Sequence, residues 1–68
     1  MADAAATHSL AFRLRGARTT AILSQTELAA ILGVSRRAIQ TWEAGTQPLP
    51  RHHRALLDFI AEHETAAA

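Results

Sequence analysis

Residues 36–44, Arg-Arg-Ala-Ile-Gln-Thr-Trp-Glu-Ala, hold the side chains best suited to chemistry with another molecule. Wound as a helix at about 100° per residue, Ala38, Ile39 and Trp42 fall within an arc of about 100°, an apolar stripe fit for burial. Arg36, Arg37, Gln40, Thr41 and Ala44 fill the opposite arc. That outward face carries two guanidiniums, a carboxamide and a hydroxyl, and no carboxylate. A guanidinium pairs bidentately with O6 and N7 of guanine, and a carboxamide with N6 and N7 of adenine. The face is therefore suited to base edges in a DNA major groove, where the first turn of a recognition helix enters. Arg36 and Arg37 also sit where the fold alone disfavours them. With Ser35 as N-cap they occupy the first turn, at the positive pole of the helix dipole, a penalty of roughly a few tenths of a kcal/mol. Phosphates and guanine acceptors would offset it.

Other chemistries find little material. The chain has no cysteine, so neither a disulfide framework nor a thiolate metal site is available. His8, His52, His53 and His63 offer no pair at i, i+4 on one helix face, and no metal or other cofactor is expected. There is no nucleophile–base set, carboxylate pair or phosphate loop, so the expectation is a protein without catalytic activity. Trp42 lies on the apolar stripe and is read as core rather than as a platform for base stacking.

Charge distribution agrees with an anionic partner. The formal net charge of +1 averages two unlike regions. All seven cations are arginines, and within residues 9–57 they face only Glu27 and Glu43, a local surplus of five positive charges. Asp3, Asp58, Glu62 and Glu64 lie outside that window. A basic body of this kind suits a polyanion. The opening MADAAATH lacks the apolar segment of a signal peptide, and no run of about 18 apolar residues could span a bilayer. A cytoplasmic protein, held on the nucleoid by its DNA, is expected.

The elements that must position these groups are helices. At 68 residues the chain is one small domain, marginal alone because such a domain buries only about 60% of its unfolded surface. Residues 1–8 and 64–68 are alanine-rich and are expected as tails flanking a domain over residues 9–63. Ser9 caps a first helix to about residue 21, with Leu10, Leu14, Ala17 and Ala21 at helical spacing. Ser24-Gln-Thr-Glu27 is a capping box opening a second helix, which shows Leu28, Ala29 and Leu32 on one face and stops at Gly33. After Gly33, Val34 and Ser35 a third helix runs from residue 36 to about 44 and stops at Gly45. Pro50 suits the first position of a fourth, longer helix reaching about residue 63. No strand-like alternation appears, so the class is all-α. Two short helices joined by a glycine-containing turn are a helix-turn-helix signature, with Val34 placed to plug the corner.

The run LSQTELAAILGVSRRAIQTWEAG, residues 23–45, resembles the helix-turn-helix of the phage-repressor (Cro/cI, or Xre-type) family, and with flanking helices the resemblance covers roughly residues 9–60. It implies a compact four-helix, lambda-repressor-like domain that binds double-stranded DNA and regulates transcription, most often as a dimeric repressor on an inverted-repeat operator. It implies that Arg36, Arg37 and Thr41, with Gln40 beside them, contact base edges. Gln25 matches a glutamine that holds a phosphate through its backbone and side chain, and Ser35, Thr46 and Arg51 fall among the phosphate contacts. Arg18 and Glu43 match an arginine–glutamate pair tying the first helix to the end of the third. Full repressor domains of the family usually carry a fifth helix after the fourth; only four are expected in these residues, which in this resemble compact regulators and the DNA-binding part of some antitoxins.

Leu56, Leu57, Phe59 and Ile60 form a broad apolar surface on the fourth helix. The expectation is a C2 homodimer using Leu57, Phe59 and Ile60, against the alternative that all four belong to the core. Such a dimer would bind half-sites about 34–36 Å apart, one duplex turn. A second function fits the same residues: an antitoxin-like module covering a protein partner, with DNA binding serving autoregulation.

Overall fold

The computed structural model describes residues 9–67, with side chains placed for residues 9–63. Four helices follow in order: α1 (Leu10–Thr20), α2 (Gln25–Leu32), α3 (Arg36–Glu43) and α4 (Pro50–Ala67). There is no strand among the described residues, and the class is all-α as expected. The tail expected over residues 1–8 lies outside the described residues. At the other end, α4 runs on to Ala67, past residue 63 where its apolar pattern ends. Nothing in Glu64-Thr-Ala-Ala stops a helix, and alanine and glutamate favour one.

Three serines start three helices. The Oγ atoms of Ser9, Ser24 and Ser35 accept the N–H groups of Phe12, Glu27 and Ala38 at 3.0–3.1 Å. At Ser24 the box is reciprocal, since the Ser24 N–H donates to Glu27 Oε1 at 2.8 Å. The ends of α2 and α3 are closed by glycines with positive φ, Gly33 at 72° and Gly45 at 115°. Each supports a doubled closure. Gly33 and Val34 donate to the Ala30 and Ala29 carbonyls, and Gly45 and Thr46 donate to those of Trp42 and Thr41. After α1 the same closure is made by Ile22, which donates to the Thr19 carbonyl while Leu23 donates to that of Arg18. Ile22 has φ 58° and is 88% exposed. A β-branched residue in this left-handed conformation is strained.

Every helix contributes to one core. It holds Leu14 and Ala17 from α1, Leu28 and Ala29 from α2, Ile39 and Trp42 from α3, and Leu56, Phe59 and Ile60 from α4. Burying each large apolar side chain contributes about 1.5–3 kcal/mol relative to leaving it in water. Half-buried Val34 packs against this core from the α2–α3 turn and fixes the corner, as its position between two helices requires. α1 packs chiefly on α4 and also on α3, while α2 and α3 pack on each other.

α4 corrects one expectation. Leu56, Phe59 and Ile60 form a single i, i+3, i+4 stripe turned into the domain, and Phe59 and Ile60 are 6% and 0% exposed. Neither offers a face to a second protomer. Of the three residues assigned to a dimer interface, only Leu57, at 39% exposure, lies on the surface. No helix of the described residues is long and apolar enough to cross a membrane.

Candidate nucleic-acid interface

α3 presents the surface that its sequence implies. Ile39 and Trp42 are buried and Ala38 is half-buried, while Arg36, Arg37, Gln40 and Ala44 are exposed. Neither Arg36 nor Arg37 has an ion pair or hydrogen bond with its side chain among the described residues. Thr41 is half-buried, and its Oγ1–H donates to the Ala38 carbonyl at 2.9 Å. Its proton is therefore used within the helix, leaving lone pairs and a methyl group for a ligand. Ser35 Oγ accepts from Ala38 N–H at 3.1 Å, so its own proton stays free to donate.

A charged junction holds α3 in place. Glu43, the last residue of α3, is only 6% exposed. Arg18 grips it with two bonds, Nε–H to Oε2 at 2.6 Å and Nη2–H to Oε1 at 3.2 Å. The third arm of that guanidinium, Nη1, donates to the Leu23 carbonyl at 2.9 Å. Gln25 Nε2–H also donates to Glu43 Oε1, at 3.2 Å, and Arg15 Nε stands 3.9 Å from the same oxygen. One carboxylate thus joins the end of α1, the α1–α2 turn, the start of α2 and the end of α3. No buried side-chain polar atom among the described residues lacks a partner. The Arg18–Glu43 pair is present as the family resemblance implies. The Gln25 and Arg15 contacts are additions that sequence spacing does not announce.

Gln25 combines an inward and an outward feature. Its carboxamide is tied to Glu43, which uses one N–H and leaves the other and the carbonyl oxygen. The capping box consumes the N–H groups of Ser24 and Glu27, leaving those of Gln25 and Thr26 without an acceptor among the described residues. Two unsatisfied donors at a helix start suit an anion.

The start of α4 lies against α3 through an aromatic contact. The His52 and Trp42 rings have centroids 5.3 Å apart at 40°. This fixes the first turn of α4, which carries exposed Arg51, relative to the back of α3. Thr46, also exposed, follows the closure of α3, and its backbone N–H is held by the Thr41 carbonyl at 3.0 Å. The candidate residues thus sit on α3 itself, on the starts of α2 and α4, and on the loop leaving α3. His63 serves α4 instead, its Nδ1–H donating to the Phe59 carbonyl at 2.8 Å with its ring 4.2 Å from that of Phe59. Among the described residues no three of histidine, cysteine, aspartate and glutamate gather as a metal site.

No curated protein and no solved structure matches the chain. A family model described as a helix-turn-helix domain matches residues 9–63, a span that begins at the Ser9 cap and takes in α1, α2, α3 and most of α4. With α2, the Gly33-Val34-Ser35 turn and an outward-facing α3 inside that span, the chain belongs to the helix-turn-helix family of DNA-binding domains.

Proposed function

We propose that the protein is a sequence-specific transcriptional regulator, a repressor that inserts α3 into the major groove of an inverted-repeat operator and occludes a promoter. The observation that carries this reading is the exposed pair Arg36 and Arg37 at the start of α3, with no carboxylate of the described residues engaging either. In the groove each guanidinium takes O6 and N7 of a guanine, and Gln40 takes N6 and N7 of an adenine. Thr41, its proton already given to Ala38, contributes its methyl group to a thymine methyl or an acceptor to a base amine. Phosphates on the groove rims meet the Ser35 hydroxyl, the Gln25 and Thr26 amides, Thr46 and Arg51. These contacts set register, while the α3 side chains select sequence.

Two protomers related by a twofold axis would read half-sites about 34–36 Å apart, with Leu57 of α4 exposed and Phe59 and Ile60 buried in the core. Titration of the protein against its own upstream promoter, with a scrambled duplex as control, tests the reading. A footprint of two half-sites spaced about 10–10.5 base pairs is the expected result. Equal affinity for both duplexes refutes sequence-specific regulation. The competing reading, a module that covers a protein partner and binds DNA for autoregulation, draws on the exposed apolar residues Ile22, Ile31 and Leu57. A stable heterocomplex on co-expression with the product of an adjacent gene would favour it.

A further inference from the structure

We propose that Arg15 is an additional contact to the DNA backbone, gripping a phosphate beside the start of α2; this rests on the duplex-binding reading above. The starting point is the charge balance at Glu43. Its two oxygens already receive Arg18 Nε at 2.6 Å, Arg18 Nη2 at 3.2 Å and Gln25 Nε2 at 3.2 Å. Arg15 Nε comes no closer than 3.9 Å to Oε1, beyond hydrogen-bonding distance, and its side chain is 63% exposed. The junction therefore holds two guanidiniums and one carboxylate, and the carboxylate is committed to the other arginine. Arg15 is the surplus cation. The neighbouring carboxylate at the start of α2, Glu27, is occupied by the Ser24 N–H at 2.8 Å.

Position gives that surplus a use. Arg15 Nε and Gln25 Nε2 approach the same oxygen of Glu43, so they lie within about 7 Å of one another, the sum of their distances to it. A phosphate oxygen accepts a guanidinium N–H at about 2.7–2.9 Å, and two oxygens of one phosphate can be shared by donors separated in this way. Gln25 is the residue already assigned to a phosphate, and the free N–H groups of Gln25 and Thr26 adjoin it. A phosphate held there would meet the Arg15 guanidinium, the remaining carboxamide N–H and the two amides together. Leaving Glu43 takes little from the fold, because at 3.9 Å the contact is long, Arg15 is largely exposed, and Glu43 keeps Arg18 as its counter-charge.

The test compares wild type, Arg15→Ala and Arg15→Lys on a specific and a scrambled duplex across a salt series, with thermal melting of each protein. R15A should weaken both duplexes by a similar factor, about three- to tenfold, and lower the salt slope by about 0.9 per protomer. R15K should restore the slope, and all three proteins should melt alike. An R15A protein with unchanged affinity and slope overturns the assignment. So does one that melts well below wild type while keeping the slope, since Arg15 would then act only through Glu43. Failure of R15K to restore the slope would also overturn it. A wild type that binds no duplex removes the parent reading and this one together, and the wild-type titration itself tells that case from a silent R15A.

Discussion

Replacing Glu43 by glutamine keeps the shape of the side chain and removes only its charge and half of its accepting capacity. The structure makes that change severe. Arg18 Nε and Nη2 and Gln25 Nε2 all donate to this carboxylate, and Arg15 Nε stands behind them. A carboxamide would turn an NH2 group toward a site surrounded by donors. It would also leave the Arg18 guanidinium, whose side chain is 15% exposed, without its counter-charge beside a residue whose side chain is 3% exposed. Breaking a buried pair costs about 3–5 kcal/mol. Arg18 retains some water and its bond to the Leu23 carbonyl, which points to the lower end, about 3 kcal/mol. A domain of this size holds roughly 3–10 kcal/mol in total at about 0.05–0.15 kcal/mol per residue, so one substitution removes a large part of it. At about 4–8 °C per kcal/mol the melting temperature should fall by at least about 12 °C. Circular dichroism melts of wild type, Glu43→Gln, Arg18→Met and the double variant Glu43→Leu with Arg18→Met measure both the loss and the coupling. The apolar double variant should recover most of the stability, because it strands no buried charge. A loss below about 1 kcal/mol for E43Q, the value of an exposed pair, would refute the view that this junction holds α3 in place.

Arg36→Ala and Arg37→Ala should each cost about 1–3 kcal/mol on the specific duplex and relax preference at one base pair per half-site, without lowering the melting temperature, as measured by competition binding and thermal melts. Equal weakening on scrambled DNA would demote that arginine to a phosphate contact. Arg51→Ala should weaken every duplex alike and reduce the salt slope by about 0.9 per protomer; a selective loss on the specific site would contradict its assignment. Ile22→Gly should stabilise the fold by about 1 kcal/mol, since relief of left-handed strain of about 1–2 kcal/mol exceeds the entropy that glycine adds to the unfolded chain. Ile22 is 88% exposed, so no buried contact is lost; an unchanged or lower melting temperature would show that the turn is not strained.

What the sequence makes legible here is what depends on neighbours three or four residues apart. The Ser9, Ser24 and Ser35 caps, the reciprocal Ser24–Glu27 box and the Gly33 and Gly45 closures are all local, and all are formed. The face of α3 follows from periodicity alone. The same periodicity separates Leu57 from Leu56, Phe59 and Ile60, but counting apolar residues on α4 without their angles overstates the surface open to a partner. Ile22 escapes local reading because its type argues against the left-handed conformation it adopts. Tertiary structure imposes it: Leu23 packs against the core and Ser24 must cap α2 only four residues after α1 ends at Thr20. The convergence on Glu43 joins residues 18 and 25 positions apart in the chain, too far for any spacing rule. Only the resemblance gave the Arg18 part of it, and nothing gave Arg15 or the Trp42–His52 contact.

The charges of α3 run against its own dipole at both ends. Its first turn carries two cations at the positive pole, and its last residue is an anion at the negative pole. α2, the preceding helix, shares the serine cap but follows the opposite practice in charge, with Glu27 at the third position. The chain therefore has a favourable helix start available to it and does not use it in α3. At the far end the reversal is answered inside the fold, because Arg18 neutralises Glu43 and binds α1 to α3. At the near end nothing among the described residues answers it. Of the two carboxylates in the basic region, Glu43 is buried at the other end of the helix and Glu27 is closed into its capping box. Arg36 and Arg37 therefore face solvent, open to an anion from outside the folded domain. In the proposed complex a duplex would supply that anion, in a groove wide enough to admit this helix.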